Sequence, residues 1–76
     1  MSRRLTALSL VFDEAEANLE VAKGNLATIV RLAGSAIERG EFTTVYRQSL
    51  THWSDQYLAA IDSVDAARAA FLEAAS

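Results

Sequence analysis

Three groups of residues in this sequence have side chains and spacings that suggest chemistry. Ser49, His52 and Asp55 lie three residues apart. That spacing places them on one face of a helix, and a hydroxyl, an imidazole and a carboxylate are the groups of a nucleophilic triad. A second group is acidic: Asp13, Glu14, Glu16 and Glu20. Glu16 and Glu20 are four residues apart and share a helix face, so together they could hold a cation. The third group is aromatic. Tyr46, Trp53 and Tyr57 recur at four and seven residues from one another, which puts them on a single stripe. Large aromatics on such a stripe either pack inward or form the hot spot of a binding surface. Both hold if they fill an interface between protomers.

The first two groups lack what their chemistry requires. No glycine-rich phosphate loop, nucleophile elbow or paired acid–base site accompanies Ser49, His52 and Asp55. Two helices alone also offer no concave pocket for an oxyanion hole. Metal-binding helical bundles usually add a Glu-x-x-His motif to their carboxylates. Here the sole histidine, His52, has Ser49 three residues before it and Asp55 three after. Lys23 follows Glu20 by three residues, as on a solvated, ion-paired helix face. The chain has no cysteine, which removes thiolate metal sites and disulfides. We therefore expect no catalytic residue, no metal, no cofactor and no enzyme.

The elements that carry these residues follow from apolar spacing. Leu5, Leu8, Phe12, Ala15, Leu19, Ala22, Leu26, Ile29, Ala33 and Ala36 are separated by three and four residues in strict alternation. Tyr46, Leu50, Trp53, Tyr57, Ala60, Val64, Ala67, Phe71 and Ala74 continue the pattern in the second half. An alternation of three and four repeats every 3.5 residues and marks the seam of a coiled coil, whereas a strand repeats every two. Between the seams, Arg39-Gly40-Glu41-Phe42-Thr43-Thr44 reads as a stop and a start. Gly40 can take the left-handed conformation that closes a helix, and Arg39 suits the negative end of the helix dipole. Thr43 or Thr44 can cap the next helix with its hydroxyl.

The expected architecture is all-α: one domain, residues 1–76, forming an antiparallel two-helix hairpin that pairs into a helical bundle. Helix one is predicted over about residues 4–39, the turn over about 40–43 and helix two over about 44–74. Gly24 and Gly34 lie off the seam inside helix one, and a break at either would give three helices. The bulky seam residues Tyr46, Leu50, Trp53 and Tyr57 lie near the turn. Ala60, Ala67 and Ala74 lie toward the termini, where the helices are expected to come closest. Room for a partner is therefore expected at the turn end.

Composition narrows the partners. Ten acidic and seven basic residues, net charge −3, are interspersed, which speaks against a nucleic acid or an anionic membrane surface. No apolar run reaches the length of a membrane-spanning helix. Arg3 and Arg4, the apolar run over residues 5–12 and Ala15-Glu16-Ala17 have the outline of a signal peptide. The run contains Thr6 and Ser9, however, and Asp13 and Glu14 precede any cleavage site. The helical spacing also passes straight through it. We expect a cytoplasmic protein with no membrane span and no nucleic-acid partner.

One seam does not use up the apolar residues. Val11, Val21, Val30, Leu32 and Ile37 lie off it in helix one, and Leu58, Ile61 and Leu72 lie off it in helix two. Apolar side chains in that number imply a second buried face. Val30, Ile37, Leu58, Ile61 and Leu72, with Tyr46, Trp53 and Tyr57, are the predicted protein interface. The occupant is a partner protein or another copy of the chain.

The length and the helix–Glu38-Arg39-Gly40-Glu41–helix layout with a following Tyr46 resemble small E-type co-chaperones of bacterial type III secretion, which hold needle subunits. That resemblance covers most of the chain. The run from Gln48 to Tyr57, with Ser49, Trp53, Ser54 and Tyr57 in matching places, resembles the second helix of the needle subunits themselves over about a dozen residues. The proline-bracketed turn of needle subunits has no counterpart, since this chain has no proline. The resemblance implies a non-enzymatic adaptor or co-chaperone that binds a partner helix. A small inhibitor from a phage or other mobile element fits the same features, and so does a self-assembling structural subunit of a bacterial or phage assembly.

Overall fold

A chain without proline, rich in alanine, leucine, glutamate and arginine, has little to interrupt a helix. The computed structural model describes residues 3–76. It has two helices, α1 (Arg3–Glu38) and α2 (Thr44–Ala75). They take up 92% of the described residues, and no strand occurs among them. The helices pack against each other along their length as an antiparallel hairpin measuring 57 × 14 × 13 Å. That length matches the roughly 54 Å expected of a 36-residue helix at 1.5 Å per residue. α1 runs through Gly24 and Gly34 without a break.

The turn is a Schellman closure. Gly40 has φ 70°, a conformation that costs glycine nothing because it lacks a Cβ. The Glu41 N–H donates to the Ala36 carbonyl at 2.7 Å, and the Gly40 N–H donates to the Ile37 carbonyl at 3.1 Å. These two bonds satisfy carbonyls that the end of α1 would otherwise leave open. An exposed ion pair, Arg39 Nε to Glu41 Oε2 at 2.9 Å, spans the glycine. Its exposure limits it to a few tenths of a kcal/mol, by about the usual measure of surface pairs.

The start of α2 differs from the sequence expectation. Thr43 is the N-cap residue, extended at φ −120° and ψ 175°, but its hydroxyl makes no capping hydrogen bond. Side-chain packing holds this end instead. The Phe42 ring, just before the cap, stacks on Tyr46 with centroids 6.0 Å apart, and the Arg47 guanidinium lies 5.6 Å from the Phe42 centroid. This is the hydrophobic-staple position, filled by an aromatic ring and a cation.

Every residue of the two predicted seams is buried or half-buried. Among the described residues the buried ones are all alanines: Ala15, Ala22, Ala33, Ala36 and Ala67. No large side chain among the described residues is fully buried. Each helix covers its neighbour's seam from one side only, so the small residues disappear while the large ones keep an edge in water. Shared depressions fix the register. Ala22 and Ala60 border one, and Phe12 and Phe71 border the other. Stepping by three and four along both helices from these levels sets Ala36 opposite Tyr46, Ala33 opposite Leu50 and Ala15 opposite Ala67. Large residues thus meet small ones near the turn, which explains why Ala36 is 0% exposed.

Candidate protein-docking faces

The 3.5-residue repeat that places the seam also divides the rest of the surface. In an antiparallel pair, the positions flanking one side of each seam meet on a common face, and those flanking the other side meet on the opposite face. The two depressions divide along these lines, one on each face.

The first face carries Val30 and Ile37 of α1 with Leu58, Ile61 and Leu72 of α2. Val30 is 53% exposed, Ile37 61%, Leu58 57% and Leu72 56%, while Ile61 is half-buried. The stripe crosses the hairpin obliquely. It begins on α1 near the turn with Ile37 and Val30, passes to Leu58 and Ile61 at mid-hairpin, and reaches Leu72 toward the termini. A depression of about 340 Å³ there is bordered by Ser9, Phe12, Arg68, Phe71 and Leu72. Glu16, Glu20 and Lys23 on α1 and Arg47, Asp65 and Arg68 on α2 share this side. An apolar stripe bordered by charges has the anatomy of a binding surface with a polar rim.

The three aromatic candidates lie elsewhere. Tyr46, Trp53 and Tyr57 are half-buried in the seam, so they prop the helices rather than stand on the exposed stripe. The Trp53 and His52 rings also meet in a T-shaped contact, with centroids 4.7 Å apart and planes at 76°. The indole borders the second depression, on the opposite face, which measures about 350 Å³. Asn18, Val21 and Asn25 from α1 and Gln56, Ala59 and Ser63 from α2 line that depression, with Ala22 and Ala60 beside them. Sequence reasoning missed this polar groove. Its signal was a side of each seam occupied by amides, hydroxyls and alanines, without charge.

Neither depression lies at the turn, where bulky seam residues were expected to leave room. At mid-hairpin alanine meets alanine, Ala22 with Ala60, so the layer is thin and its flank unfilled. Next to the turn Tyr46 and Leu50 have Ala36 and Ala33 opposite them.

Ser49 is half-buried, whereas His52 and Asp55 are exposed. No hydrogen bond joins the three, and the His52 ring packs on the Trp53 ring. Among the described residues no three His, Asp or Glu side chains gather closely enough to hold a metal ion. No helix among them is long and apolar enough to cross a membrane. Gly24 and Gly34 carry no close approach within the chain, because a Cβ added at either meets nothing within 4 Å.

Comparison with protein-family models, with characterised proteins and with solved structures gives no match. The resemblance to type III secretion proteins therefore stands on the residues quoted for it alone.

Proposed function

We propose that this chain is a non-enzymatic protein–protein interaction module, an adaptor, co-chaperone or inhibitor. It takes a partner's amphipathic helix along Ile37, Val30, Leu58, Ile61 and Leu72, in the helix-in-groove manner. One observation carries this reading. Four large apolar side chains on one face are more than half exposed, and among the described residues no large side chain is fully buried. Covering the exposed part of each of the four is worth roughly half of the about 1.5–3 kcal/mol that full burial brings, and a partner helix supplies the cover. The resemblance to E-type co-chaperones would make that helix part of a needle subunit, met in the cytoplasm.

The test compares wild type with Leu58→Glu as bait in a lysate of the source organism, with circular dichroism on both. Leu58 stands outside the seam, so the variant keeps its helix content. A defined protein retained by wild type and lost by Leu58→Glu supports the reading. A partner held equally by both removes this face from the interaction. A self-assembling structural subunit is the second reading, favoured by the presence of unfilled surface on both faces. It predicts large particles of wild type alone.

A further inference from the structure

The face opposite the apolar stripe is distinguished by what it lacks. From Asn18 to Leu32 on α1 and from Ser49 to Ala70 on α2, this side of the seam carries no Asp, Glu, Lys or Arg. His52 is the one titratable group in that span. Depletion of charge is the compositional mark of an interface core. Two of its hydroxyls need no outside partner: Thr28 Oγ1 donates to the Gly24 carbonyl at 3.0 Å and Ser63 Oγ to the Ala59 carbonyl at 3.1 Å. The small residues Ala59 and Ser63 flank the groove beside Ala22 and Ala60, so another backbone can come close.

We propose that this uncharged face packs on the same face of a second copy, with the two hairpins antiparallel about a two-fold axis near the level of Ala22 and Ala60. Area supports a partner of this size. A compact 8.2 kDa protein exposes about 4,500 Å² by the scaling of monomer surfaces, whereas this hairpin exposes 5627 Å². The excess, about 1,100 Å², exceeds the roughly 800 Å² that each partner gives to a standard interface.

Charge sets the direction of a second copy. The half nearer the termini, residues 3–22 and 60–76, holds seven acidic and three basic side chains. The half nearer the turn, residues 23–59, holds four basic and three acidic ones. Parallel pairing would stack the two acidic halves. Antiparallel pairing sets the acidic half of each copy against the slightly basic half of the other, and an uncharged contact face brings no like charges together. An isologous contact of this kind closes as a dimer and leaves both Leu58 faces pointing outward. The product is a four-helix bundle with two identical docking faces. The inference is independent of what those faces bind.

Three measurements test it together: light-scattering mass, circular dichroism and cross-linking through single introduced cysteines in a chain that has none. Wild type should have twice the 8.2 kDa chain mass. Ala59→Cys, near the axis, should be bridged to itself by a short bismaleimide, and Leu58→Cys, facing outward, should not. Ala59→Glu with Ala66→Glu should stay helical while its association weakens about a hundredfold or more, because the charges lose their water. Leu58→Glu should remain dimeric. A monomeric wild type overturns the proposal, as does a dimer that survives Ala59→Glu with Ala66→Glu, or bridging at Leu58→Cys in place of Ala59→Cys. Loss of partner capture in Leu58→Glu while the dimer persists separates the two faces.

Discussion

Trp53→Ala isolates what holds the middle of the hairpin together. The indole is half-buried at a seam position and borders the mid-hairpin depression. A tryptophan buries roughly 150–250 Å² when packed, which at about 25 cal/mol per Å² sets an upper bound near 4–6 kcal/mol. The partial exposure lowers that figure. Truncation would also widen a groove that already opens to water rather than leave a dry cavity, so the added cavity penalty is small. The expected loss is therefore about 3 kcal/mol, at the lower end of the usual range for removing a buried aromatic. A chain of this length has roughly 4–11 kcal/mol of stability in total, so the change is a large share of it. Urea unfolding followed by circular dichroism measures it, because removing the only tryptophan also removes its fluorescence as a probe. A loss below about 1 kcal/mol, in the range of surface substitutions, would refute the placement of Trp53 in the seam and with it the register.

Three smaller changes test the interior of α1 and the start of α2. Gly24→Ala should stabilise by up to about 1 kcal/mol, since the glycine is helical, exposed and free of neighbours; a fall in stability or in oligomer mass would mean that another chain packs on that backbone. Thr43→Ala should cost well under the ~1 kcal/mol typical of a bonded N-cap, because its hydroxyl bonds nothing at the cap, whereas Phe42→Ala should cost more than Thr43→Ala by loosening Tyr46 and Arg47. Urea midpoints of the three variants decide both points.

The hairpin was legible because its signal is local. The alternation of three and four selects the seam residue by residue, and Gly40 between two uninterrupted seams marks the reversal. The cap was less legible. Thr43 has the right side chain for capping, but Phe42 reaches Tyr46 and Arg47, and ring packing rather than a hydroxyl holds the turn. The groove at Ala22 and Ala60 depends on which residue of α2 faces which residue of α1. That pairing is set by the turn geometry and is invisible in either helix alone. Composition also hid the division of the surface. Val21 and Leu58 look alike as off-seam apolar residues, yet the antiparallel register puts them on opposite sides of the molecule, one among amides and the other among charges.

We propose that this hairpin is half of a fold, completed when its faces are covered by another chain. The most direct measurement is the thermal unfolding midpoint across a wide range of protein concentration, with the molar mass measured at each. If association completes the fold, the mass exceeds 8.2 kDa and the midpoint climbs by about 3–6 °C for each tenfold rise in concentration. A midpoint that stays constant at a mass of 8.2 kDa would contradict this, because the hairpin would then be stable with its faces in water.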